Sequence, residues 1–213
     1  MILYRPTDGG VRDEPVHCRP RTAFLLTQLG GRLPEELVAA RSTISTLLAD
    51  RGFSTIDADS VTTGKDFLLK IWQLVLSVPL GVAVIQEGIP ARTLANIFYE
   101  LGWFQAYGKE TIVVRVGDAG LPSDFVRTEY VSYNAHFERR FSSFLDTVIQ
   151  QADHYRQLAG LLENNPLLAI DYFRRSYLIS GDEECRALAR GVFETAGFVG
   201  RARNSVESLL VTF

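Results

Sequence analysis

The stretch NIFYELGWFQAYGKETIVV, residues 96–114, carries one carboxylate near its start, Glu100, among aromatic and aliphatic neighbours. Helical spacing sets Asn96 one turn before it and Trp103 one turn after, on a shared face. Leu94, Ile97, Leu101 and Phe104 define a different face, the one expected to pack on a sheet. Glu100 is then expected at the edge of the packed surface, in the first half of a helix whose N-terminus points at a ligand crevice. Two readings compete for it: a solvated helix glutamate and a catalytic carboxylate. The uncharged neighbours Tyr99, Leu101, Gly102 and Trp103 favour the second. So does Gly102 itself, which costs a helix about 1 kcal/mol relative to alanine unless close packing needs it. Tyr99 and Trp103 face a parallel choice, stacking on a base or filling a core.

Three further segments have residue types suited to a ligand. Gly30-Gly31 follows the apolar run TAFLLTQL (22–29). The pair reads either as a tight strand-to-helix turn or as a cradle of backbone N–H groups for phosphate or ribose. Asp57 and Asp59 lie at the end of the run FSTID (53–57), where one carboxylate is expected to cap the loop and the other is open to ribose hydroxyls. Gln86 closes the run LGVAVIQ (80–86), and Glu87-Gly88 opens the loop after it.

The elements that position these residues follow from pattern. Apolar runs at 22–29, 53–57, 80–86, 110–116 and 128–133 read as strands, and 80–86, apolar almost throughout, as the central one. Between them lie helical patterns: Pro34 to Gly52, 65–77 stopped by Pro79, and Ala91 to Tyr107 closed by Gly108. Strand–helix alternation with buried strands implies a parallel sheet covered on both faces. About five mainly parallel strands fit an α/β, doubly wound, flavodoxin-like order. In such a sheet ligands bind outside the carboxyl ends of the strands, where the strand order reverses. The Gly30-Gly31, Asp57–Asp59 and Gln86–Gly88 segments are expected to converge there.

From His136 onward the pattern is helical, and the chain divides into a polar N-terminal arm (1–20), the α/β domain (21–134) and a C-terminal helical region (135–213). Within that region NPLLAIDYFRRSYLISGDEECRALARGVFETAG reads as helix, turn at Gly181-Asp182, helix, like one hairpin of the tetratricopeptide kind. A single hairpin cannot bury its own apolar face. Tyr172, Phe173, Tyr177 and Leu178 are therefore expected either on the sheet domain or against a partner, a second copy or another protein.

Bulk composition excludes several classes. Hydrophobic residues make up 46% and charged residues 22%, the balance of a soluble globular protein. A net charge of −3 gives no global field for nucleic acid, so none is expected to bind directly. The basic pairs Arg139-Arg140 and Arg174-Arg175 sit in helical patterns with acids nearby. His17, His136, His154, Cys18 and Cys185 fall in no metal-ligand spacing, and no metal is expected. The first twenty residues read as no signal peptide, and Pro79 and Gly81 break the longest apolar stretch, so a cytoplasmic protein with no membrane span is expected.

Residues 22–133 resemble the nucleoside 2-deoxyribosyltransferase-like and TIR-like nucleotide-binding families. The resemblance rests on NIFYELG followed by Gly108-Lys109 and a strand, and on LPSDFVRTEYVSY (121–133), similar to those families' turn before their last strand. It implies that Glu100 meets the positive charge developing at the anomeric carbon of a ribosyl group while the base departs, as in glycoside cleavage. Asn96 and Tyr99 match the motif and would orient the carboxylate or sugar. One departure stands out: many relatives have an acid at the end of the third strand, where this chain has Gln86, with Glu87 next. Three functions follow. The first is an N-glycosidase acting on a nucleotide or NAD as substrate, a type common among anti-phage defence effectors, with no cofactor. The second is a deoxyribosyltransferase. The third is a non-catalytic nucleotide-signal sensor that oligomerises through its C-terminal helices.

Overall fold

The computed structural model describes residues 9–10, 16–60, 66–120, 130–211 and 213. Much of the expected arm, and the LPSDFVRTE part of the turn motif, lie outside the described residues. The described residues form two compact units. Residues 22–60, 80–120 and 130–146 make one unit, which holds the sheet; residues 16–21, 66–79 and 147–211 belong to the other, which is mainly helical.

In the sheet unit five strands, β1 (Thr22–Leu26), β2 (Ser54–Ile56), β3 (Leu80–Gln86), β4 (Glu110–Val116) and β5 (Tyr130–Ser132), lie in the order β2-β1-β3-β4-β5. Every pairing is parallel. This is the doubly wound α/β sheet expected from sequence, with C-terminal helices after it. β3 has neighbours on both sides and is buried at all seven positions. A strand covered on two faces has no solvent side to pattern for, which is why its sequence does not alternate.

Helices α1 (Glu35–Ala49) and α3 (Ala91–Ala106) pack on opposite faces of the sheet. Side-chain alternation fixes this. Phe24 stacks on Phe104 of α3 with ring centroids 6.0 Å apart, and a Cβ at Gly81, in register with Phe24, would come within 2.9 Å of the same ring. Leu25, the next residue, lines a cavity with Arg41 and Ser45 of α1. Glycine at position 81 is thus set by the close approach of α3. Ile97, Leu101 and Phe104 are the buried stripe of α3, as its spacing predicts.

The helical unit has its own core. It contains α2 (Phe67–Ser77), α4 from Thr147 to Gly160 (the helix begins at Phe137), α5 (Pro166–Ser180), α6 (Glu183–Thr195) and α7 (Gly200–Val211). Asp66 caps α2 by accepting from the N–H groups of Leu68 and Leu69, and Asn165 and Asp182 cap α5 and α6 in the same way. Gly181, at φ 71°, ends α5 and makes the turn expected there. Ile170, Phe173, Tyr177, Cys185, Ala189 and Phe193 bury one continuous cluster with Val206, Leu210 and Phe213. Phe173, Tyr177 and Leu178, expected either on the sheet domain or against a partner, are all buried, and Phe173 and Tyr177 belong to the helical unit's own cluster, with Tyr172 packed beside it. The physical reason is that α4, α6 and α7 supply the cover that a lone hairpin lacks. Residues 16–21 join the same unit. The Arg19 N–H donates to Ser77 O at 2.7 Å and the Arg21 N–H to Leu178 O at 2.8 Å. Among the described residues no helix is long and apolar enough to cross a membrane.

Candidate functional site

In this strand order the connections after β1 and β3 leave in opposite directions, which opens a crevice between their carboxyl ends. Its floor is polar. Gln86, the last residue of β3, is 4% exposed and donates from Nε2 to Gln28 Oε1 at 2.6 Å. Among the described residues Gln86 Oε1 has no hydrogen-bond partner, nor does Oγ1 of Thr27, which is 7% exposed. Continuing the Leu26–Ala83 register sets Thr27 beside Val84, on the same face as Gln86 and one step along the diagonal. Beyond Gln28 the chain turns through Gly30 and Gly31, at φ 75° and 72°. These left-handed conformations need glycine, and nothing stands within 4 Å of where a Cβ would be.

The rim of β4 is acidic. A Cβ on Gly117 would lie 3.3 Å from Glu87 Oε2 and 3.9 Å from Glu36 Oε2. The Glu87 N–H donates to Val116 O at 3.2 Å, which holds the loop after β3 against β4. Asp57 ends β2 and is occupied. It pairs with Arg41 at 3.1 Å, accepts the Ser60 N–H at 2.9 Å, and its own N–H donates to Ser60 Oγ at 3.0 Å. These contacts cap the loop beside a cavity of about 230 Å³. Asp59, two residues on, is exposed.

The α3 residues form a second group. Asn96 and Tyr99 are exposed, Trp103 is half-buried, and the Tyr99 and Trp103 rings meet with centroids 4.7 Å apart. Glu100 is half-buried and makes no hydrogen bond or ion pair with the described residues. Burial pushes its carboxyl from the usual 4.5 up to about 7. Its place along the helix is past the first half, where the sequence reading sets it, although the helix starts at Ala91 as expected. Pro90 at the N-cap starts α3 at Ala91, so Glu100 is the tenth of sixteen residues. At the rise of an α-helix this is about 14 Å from the end of α3 that faces the crevice.

The chain thus brings Gly30, Gly31, Gln86 and Glu87 together at the crevice and keeps Asn96, Tyr99, Glu100 and Trp103 together on α3. Asp57 and Asp59 stand at the end of β2. Thr27, Gln28 and Glu36 were not singled out from sequence. Their signal was a threonine–glutamine pair directly after an apolar strand, and an acid in the first turn of the helix that follows. Among the described residues no group of three His, Cys, Asp or Glu side chains is placed to hold a metal.

No protein-family model matches the chain, and no curated protein is similar to it. The class is therefore defined by fold and site: a doubly wound parallel α/β sheet with a polar switch-point crevice, joined to a helical unit.

Proposed function

We propose that this protein cleaves the base–ribosyl bond of a nucleoside-class compound, a nucleotide or NAD included, with Glu100 as the reacting carboxylate. The observation that carries the reading is the state of Glu100. A half-buried carboxyl without a partner among the described residues, pushed up to about 7 by burial, is kept at a cost that a structural residue does not need. Desolvation raises the energy of its charge, so the carboxylate gains most when positive charge develops beside it, as at the anomeric carbon of a departing ribosyl group. Tyr99 and Trp103, in mutual contact on the same helix, offer ring surface for a base. The test is base release from NAD and a panel of nucleosides and nucleotides. Glu100→Gln is expected to lower the rate by about a hundredfold or more. Release that needs an acceptor base would make the protein a transferase, and release into water a hydrolase.

A second reading, a non-catalytic receptor for a nucleotide signal, is favoured by one observation, the third-turn position of Glu100, far along α3 from the crevice. Ligand binding that survives Glu100→Gln, with no base release from any substrate, would support it over the first.

A further inference from the structure

We infer that the α1 side of the crevice binds a small aliphatic amine in its ammonium form, a diamine above all, held by Thr27 and Gln86 at the floor and by Glu36 and Glu87 at the rim. The site is separate from the one proposed around Glu100. Phe24 and Gly81 face α3, so by alternation Thr27 and Gln86 face α1, across the sheet from the helix that carries Glu100.

The floor lacks donors. Gln86 Nε2 is committed to Gln28, and Gln86 Oε1 and Thr27 Oγ1 are buried with no partner among the described residues. Buried polar atoms are nearly always paired, so two neighbouring unpaired ones at a strand end mark a place where a ligand completes the set. An amide oxygen only accepts, so the ligand must bring a hydrogen. A primary ammonium group has three N–H donors and no acceptor. It can serve Gln86 Oε1 and Thr27 Oγ1 together and keep a third donor for a carboxylate. Its charge then needs a counter-charge close by.

The rim supplies it. Glu36, from the first turn of α1, and Glu87, from the loop after β3, both reach Gly117, where a Cβ would lie 3.9 Å from the one and 3.3 Å from the other. Gly117 follows Val116, the register partner of Gln86, so the acids stand at the same strand end as the floor. Neither carboxylate makes a hydrogen bond or ion pair with the described residues. Acids in a first turn suit the positive end of a helix, which accounts for Glu35 and Glu36 as residue types but does not bring Glu87 to Glu36. Two carboxylates at one place repel each other, and a dication relieves both. A divalent metal ion fits less well. It takes about six or more oxygens, and among the described residues no group of three His, Cys, Asp or Glu side chains is placed to hold one.

The test is calorimetric titration of the full chain at low ionic strength. Putrescine, cadaverine and butylamine are compared with three controls. Butanediol keeps the chain of putrescine without its charge, fully N-methylated putrescine keeps the charge without the N–H donors, and magnesium chloride offers a dication with neither. At least one diamine is expected to bind, with butylamine weaker by about tenfold, the scale of one charge interaction at a partly solvated rim. The N-methylated form should be weaker by about tenfold as well, because it has no hydrogen for Gln86 Oε1. Combining Glu36→Gln with Glu87→Gln should weaken the diamine by about tenfold or more. Thr27→Val should weaken it by about fivefold, the loss of one hydrogen bond, while Thr27→Ser retains it. Butanediol or the N-methylated form binding as tightly as putrescine would overturn the inference. So would magnesium binding without diamine binding, diamine binding untouched by the paired Glu36 and Glu87 substitutions, or no diamine binding at millimolar concentration. If the floor variant fails to fold, the ligand series and the rim variant decide the matter, since Glu36 and Glu87 are exposed. Base release from nucleosides, present or absent, leaves this inference standing.

Discussion

Helices α3 and α5 are both rich in aromatic residues, and they use them in opposite ways. On α5 the rings are covered. Phe173 and Tyr177 are buried, Tyr177 meets Phe213 at 5.4 Å, and the charges beside them are matched, Arg175 to Asp171 at 2.9 Å. On α3 Tyr99 is 51% exposed, and the carboxylate next to it is half-buried and unmatched among the described residues. A helix built only for stability resembles α5, with apolar groups dry and charges paired or wet. The departure of α3 from that pattern is what the proposed role of Glu100 accounts for. The basic pair Arg174-Arg175 sharpens the contrast, because Arg174 donates to Leu76 O at 3.1 Å and Arg175 is paired, so both serve packing.

The contrast can be broken by substitution. Phe173→Ala should lower stability by about 3–5 kcal/mol, the cost of emptying a buried aromatic site, as read from chemical denaturation. Glu100→Gln should act in the other direction and only at higher pH. Below pH 4.5 the carboxyl is protonated in both folded and unfolded chains, and the substitution is neutral. Between 4.5 and about 7 the unfolded chain ionises while the folded chain keeps its proton, so wild-type stability falls as pH rises. The total is on the order of 3 kcal/mol, and the glutamine variant should be more stable by about that amount at pH 8 and level with wild type at pH 4. Gly81→Ala should cost about 1–3 kcal/mol, because its Cβ meets the Phe104 ring at 2.9 Å with no room to give, and a lowered melting temperature would register it. Tyr99→Ala should change stability by less than about 0.5 kcal/mol while weakening any base-containing ligand. A large loss of stability there would mean that Tyr99 is part of the fold after all.

The sheet was legible because β3 reads as a continuous apolar run between turn residues, and because alternation with helices leaves few topologies. The turn at Gly181-Asp182 was legible for a similarly local reason, while the caps at Asp66 and Asp182 were not read from the sequence. The grouping of α2 with the helical unit was not. Its residues Ile71, Trp72, Leu74, Val75 and Leu76 are all buried, so its sequence is apolar nearly all round and names no single neighbour. The crevice floor was half legible. Gln86 was visible as the end of a strand, but its pairing with Gln28 is a contact across 58 residues that no local pattern encodes. The height of Glu100 on α3 was legible as well, because the helix read from sequence already starts at Ala91 and makes Glu100 its tenth residue, past the first half.

The most direct test of the central claim is base release measured as a function of pH, for wild type and Glu100→Gln, on the best substrate of the panel. The account predicts a rate that climbs as pH rises through about 7, when Glu100 gives up its proton, and that is lost in the glutamine variant. Undiminished release from Glu100→Gln, or a wild-type rate that is flat across that range, would contradict it.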